Sequence, residues 1–153
     1  MATHNYAEGD WFAVPLRTDG FAIGIVARAN REGVLLGYFF GPRRAEPPSL
    51  ADVTTLLPAR AVLVGRFGHL SIRGGSWPLL GRQSGWDRAK WPAPVFVRYE
   101  ELTGRSFHTR YDDSDPACMI DESPVAPGVA EQGPKDGLMG AGFVERRLTA
   151  LLA

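Results

Sequence analysis

The sequence predicts a mainly β (α+β) protein. The expected form is a strongly curled antiparallel sheet, or a partly open barrel, of about six or seven strands. A short helix near residues 50–57 and a C-terminal helix complete it. Three observations carry this. Residues 9–42, GDWFAVPLRTDGFAIGIVARANREGVLLGYFFGP, read as three strands joined by two tight turns. Those turns, Thr18-Asp19-Gly20 and Asn30-Arg31-Glu32-Gly33, have the residue types that accept positive φ. Residues 95–111 alternate as a second hairpin, and only two stretches show helical spacing.

The first strand, residues 11–16, contains Pro15, which donates no ladder bond and marks an edge or a bulge. The second places Phe21, Ile23, Ile25 and Ala27 on one face and Ala22, Gly24, Val26 and Arg28 on the other. The third sets Val34, Leu36, Tyr38 and Phe40 opposite Leu35, Gly37 and Phe39. Strands apolar on both faces must be covered on both. Gly24 and Gly37 remove side chains and allow a bend or a close approach.

Residues 41–48, GPRRAEPP, read as a turn and an extended linker holding Arg43 and Arg44. Ser49-Leu50-Ala51-Asp52 is a capping pattern, followed by Val53, Leu56 and Leu57 at helical spacing and by Pro58. That predicts about two turns of helix. Residues 61–67 form the next strand, with Arg66 its one charge, followed by a turn over 71–75 and a short strand at 77–80. Residues 75–94 carry Trp77, Trp86 and Trp91. Clustered tryptophans anchor partners or pin loops, and two Trp-Pro pairs without a period favour pinning.

Residues 95–99 and 106–111 make the second hairpin. Residues 112–137 contain four prolines and little periodicity, and predict a long surface loop. Over residues 142–153, Val144, Leu148, Leu151 and Leu152 form the apolar stripe of a helix.

A chain of 153 residues fits a single domain, 1–153. No apolar run approaches the ~20 residues of a membrane helix. The opening MATHNYAEGD lacks a basic region and an apolar segment, and the one cysteine, Cys118, makes no internal disulfide. Together these predict a cytoplasmic protein without a membrane partner.

Net charge is zero, which argues against a nucleic-acid coat protein, but it is unevenly spread. Residues 1–110 hold 14 basic and 9 acidic side chains; residues 111–153 hold 3 and 8, giving +5 against −5. The acids of 112–136 are Asp112, Asp113, Asp115, Asp121, Glu122, Glu131 and Asp136, against Lys135 alone. Such a run is either a solvated loop or a surface that steers a basic partner.

Reactive groups do not assemble into a motif. Asp112-Asp113-Ser114-Asp115 lacks the glycine and distant glutamate of a calcium loop. Gly140-Ala141-Gly142 is followed by Glu145 where a dinucleotide fingerprint needs glycine. There is no phosphate-loop lysine and no Gly-x-Ser-x-Gly. Of His4, His69 and His108, only His69 is placed for a site, and pairing it with Cys118 needs an adjacency that sequence does not show. The reading is a protein without catalytic residues, bound metal or cofactor.

Gly9-Asp10-Trp11-Phe12-Ala13-Val14-Pro15-Leu16, then the glycine-centred strand of residues 20–26, then Leu36-Gly37-Tyr38-Phe39, resemble the immunity protein 26 family. The resemblance implies a cytoplasmic, non-enzymatic bacterial protein that binds and neutralises a cognate toxin from a polymorphic toxin system; the acidic run adds the expectation that it does so by blocking the toxin's active site. The acids Asp112, Asp113, Asp115, Asp121 and Glu122, with Trp86, Arg43 and Arg44, are the candidate partner-binding residues. The alternative is a small β-barrel binding module for a peptide, nucleic acid or small ligand. Its site would be the arginine-bearing side, Arg43, Arg44 and Trp86-Asp87-Arg88, although neutral net charge makes nucleic acid the less favoured partner.

Overall fold

The computed structural model describes residues 4–126 and 133–153. β1 (Asp10–Pro15), β2 (Phe21–Ala29) and β3 (Val34–Arg44) form the anticipated meander. β4 (Leu63–Gly68), β5 (Leu79–Arg82) and β9 (Leu138–Met139) extend it to six strands, in the order β5-β1-β2-β3-β4-β9. β9 runs parallel to β4; the other pairs are antiparallel. A second sheet has the order β6-β7-β8, from β6 (Phe96–Glu100), β7 (Arg105–Asp112) and β8 (Asp115–Val125).

The protein is thus mainly β, with two sheets and a C-terminal helix. Neither sheet is closed or strongly curled, in contrast to the curled sheet or partial barrel expected. The doubly apolar meander is instead covered by a separate layer on each side. On one face Phe12, Val26, Phe39 and Phe67 pack with Trp77, Tyr6, and Val144 and Leu148 of α2 (Ala141–Leu151). On the other, Trp11, Ile25, Tyr38 and Phe40 pack with Val53, Trp91, and Phe96 of the second sheet. Burying each such side chain contributes roughly 1.5–3 kcal/mol. Trp77 and Trp91 therefore pin loops onto the core.

Gly24 gives the first face its room. A Cβ there would lie 2.5 Å from the Phe12 ring and 3.0 Å from Phe39. The close approach anticipated at this glycine is made by aromatic rings, not by backbone. Pro15 ends β1 beyond the reach of β5, which pairs only with Asp10, Trp11 and Phe12. Its missing donor costs no bond there.

Other elements differ from expectation. The helix at 50–57 is one 3-10 turn, Leu50–Asp52. Its capping box forms, with Ser49 N–H and Oγ both bonded to Asp52 Oδ2 at 3.2 and 2.9 Å. Propagation fails because Val53-Thr54-Thr55 is a β-branched run and Val53 docks fully buried on the sheet. The 41–48 linker is shorter than expected, since Arg44 still pairs with Phe21. The turn over 71–75 holds a short helix, α1 (Leu70–Arg73). The long loop expected over 112–137 contains an eleven-residue strand, β8, an edge strand whose residues 117–124 are exposed. Pro116 and Pro124 are tolerated because β8 has an outer edge. Among the described residues, no helix is long and apolar enough to cross a membrane.

Candidate partner-binding surface

The second sheet carries the acids. Residues 96–125 hold seven carboxylates and three arginines, a net charge of −4 in a neutral chain. β6 begins buried, at Phe96 and Val97, and then leaves the body, so Tyr99 and Leu102 are exposed. β7 and β8 run antiparallel from Ser106 opposite Val125 to a tight turn, with register shifts beside Tyr111.

Asp112, Asp113 and Asp115 form that turn, each held differently. Asp112 Oδ1 accepts from Ser114 Oγ at 2.6 Å and Ser114 N–H at 2.8 Å. These two bonds hold its carboxyl below the usual range. Asp115 Oδ1 accepts from Ala117 N–H and Asn30 Nδ2, both at 2.9 Å. Asp113 Oδ1 accepts from Arg28 Nε at 2.9 Å, and its Oδ2 lies 3.2 Å from Arg88 Nη1. Arg28 in turn donates to the Trp91 and Arg88 carbonyls at 3.0 and 3.3 Å. The turn is therefore fastened to β2 and to the tryptophan loop.

Trp86 joins the same network. Its Nε1 and Arg88 Nε both donate to Glu8 Oε1, at 3.1 and 2.8 Å. The Glu8 hydrogen bond pushes the Arg88 pKa further up. Glu122, further along β8, accepts from Arg98 Nε and Nη2, each at 3.0 Å, and Asp121 sits opposite Arg110. Asp121 and Glu122 are both exposed.

Arg43 and Arg44 are elsewhere. Arg44 pairs with Phe21 at the start of β2, while Arg28 and the acidic turn lie at its other end. Seven steps along the strand, from Phe21 to Arg28, separate them by about 23 Å. Arg43 pairs with Asp19. The arginine pair and the Trp86-Asp87-Arg88 segment do not come together.

Asp136 faces inward. Its carboxylate lies 3.1 Å from Arg66 Nη2, and Tyr111 Oη donates to both its oxygens at 2.9 and 3.0 Å. Arg66 stacks 4.0 Å over the Tyr111 ring. Burial first, and the Asp136 bond second, push the Tyr111 hydroxyl up to about 12. Glu131 lies outside the described residues. Sequence reading passed over Arg28 and Arg66 as anchors, although each is the sole charge of an apolar strand and so requires a carboxylate or carbonyl partner.

Cys118 is exposed on β8, whereas His69 is buried with Nδ1 2.7 Å from Tyr6 Oη. Among the described residues, no three His, Cys, Asp or Glu side chains are grouped to hold a metal ion.

The family model for immunity protein 26 matches residues 7–108, two thirds of the chain. The match runs from before β1 into β7 and ends ahead of the acidic turn, β8, β9 and α2. No curated protein matches the chain, and no solved structure does.

Proposed function

The chain belongs to the immunity protein 26 family, and from that premise we propose that it is a non-enzymatic immunity protein acting in the bacterial cytoplasm. It binds a cognate toxin and neutralises it by covering the toxin's active site. The observation that supports this is the charge of the second sheet, −4 over residues 96–125, on strands that leave the protein body. A toxin that acts on nucleic acid needs a basic cleft, and carboxylates on a rigid support both steer to such a cleft and fill it. Asp112, Asp113 and Asp115 present the turn, Asp121 and Glu122 present the strand, and Trp86 flanks the turn through Glu8 and Arg88. Arg43 and Arg44 would meet the toxin only if it reached the far end of β2.

The test uses Asp121→Asn with Glu122→Gln, since Asp113 and Asp115 also hold the turn. The partner tested is the product of the gene beside this one. Association at low salt should slow about tenfold and lose most of its salt dependence. An unchanged on-rate removes the acidic surface from the reading. No complex with wild-type protein removes the reading itself.

A further inference from the structure

Among the described residues, the outer edge of β4 is open over its first half. β9 pairs with it only at Arg66 and Phe67. The His69 N–H bonds to the Gly33 carbonyl, which sets the phase of the β3–β4 ladder. Odd-numbered residues of β4 then bond inward, and the N–H and C=O of Val64 point to the open edge. Natural edges are guarded by proline, charge or a bulge. Residues 61–65, AVLVG, contain no proline and no charge; an irregularity sits at their start, where the Val62 N–H bonds to the Phe39 carbonyl, and from Leu63 onward the register with β3 is unbroken.

Beside this edge lies a groove of about 690 Å³, walled by Leu138, Phe143 and Arg147. Val62, Leu138 and Phe143 are 39%, 57% and 50% exposed. A second hollow of about 590 Å³, reaching Leu57, shares Val62 with it. Four of the ten exposed large apolar side chains among the described residues thus line two adjoining hollows. Such a concentration marks an interaction surface, where scattered residues would not. The free charge in the groove is positive. Asp136 is taken by Arg66 and Tyr111, while Lys135 and Arg147 make no ion pair among the described residues.

We propose that this groove docks an extended peptide segment of a protein partner, which adds as a strand to β4 at Val64, seats apolar side chains against Val62, Leu138 and Phe143, and places a carboxylate on Arg147. Main-chain pairing holds such a segment, and alternate side chains give it specificity. The groove borders the second sheet where residues 134–136 bond to Val97 of β6, but its free charge is opposite to that of the acidic turn and of β8.

Random short peptides displayed on phage are selected on the full chain, and the enriched peptide is synthesised. Its sequence should alternate apolar and acidic residues. Arg147→Glu, an exposed substitution, should weaken its binding at least tenfold, and Val62→Lys should do the same. N-methylation of one alternate set of its amides should abolish binding, and methylation of the other set should not. Failure to enrich any peptide overturns the proposal. So do enriched peptides that are basic, or that bind both variants as tightly as wild type.

Discussion

Arg28 and Asp113, 85 residues apart, are joined by an Nε–Oδ1 contact of 2.9 Å in which the arginine side chain is 4% exposed and the carboxylate 61%. The guanidinium is the buried partner, and it also satisfies the carbonyls of Ala27, Trp91 and Arg88. Removing it leaves three acceptors wanting; removing the carboxylate leaves most donors satisfied. Arg28→Met should therefore cost about 3–5 kcal/mol, and Asp113→Asn only about 1 kcal/mol. Urea unfolding measures both. A loss from Asp113→Asn as large as that from Arg28→Met would place the strength of the joint in the exposed carboxylate.

Gly24→Ala should destabilise, against the usual gain when glycine is replaced in a strand. The new methyl would stand 2.5 Å from Phe12 and 3.0 Å from Phe39, between two buried rings. Overpacking of this kind costs about 1–3 kcal/mol. A thermal midpoint equal to or above wild type would mean that the rings move aside freely.

The meander was legible because its signals are local. Turn residues at 18–20 and 30–33 fix the hairpins, and strands apolar on both sides announce two covering layers. β8 was not legible. An edge strand exposed on both faces needs no alternation, and its two prolines read as loop. The capping box at Ser49 was real, but a cap starts a helix without extending it. At the acidic turn, the residue types were visible from sequence and their attachments were not. Asp113 meets Arg28 across 85 residues, and Asp136 is turned inward by Arg66, so an acidic run of one composition divides into surface and interior.

His69 gives the protein an acid-sensitive element. Burial holds its pKa below the ordinary value of 6.5, and His4 and Arg73 act in the same direction. The folded protein thus resists a proton that the unfolded chain accepts. Stability is full above about pH 6.5, falls as pH drops through that value, and stops falling below the lower folded pKa. Urea midpoints at about pH 8 and pH 5.5 should differ in wild type, and the difference should shrink in His69→Gln. Equal pH dependence in the two proteins would assign the effect to other groups.

The hold of the second sheet on the first should depend on Asp136. Its side chain is 6% exposed and that of Arg66 is 12%, and they join β4 to β7 through Tyr111. Arg66 Nε is buried and has no partner among the described residues, so the guanidinium depends on Asp136 and the Pro116 carbonyl. Asp136→Asn should cost about 3 kcal/mol, because it leaves a buried cation uncompensated. Tyr111→Phe should cost about 1 kcal/mol, because it removes a hydrogen bond and keeps the Phe96 contact. Arg66→Met combined with Asp136→Leu should recover much of the loss, since no buried charge then remains. If the double variant were no more stable than Asp136→Asn, the joint would rest on the directional geometry of the ion pair, and hydrogen exchange in β6 and β7 would rise in both.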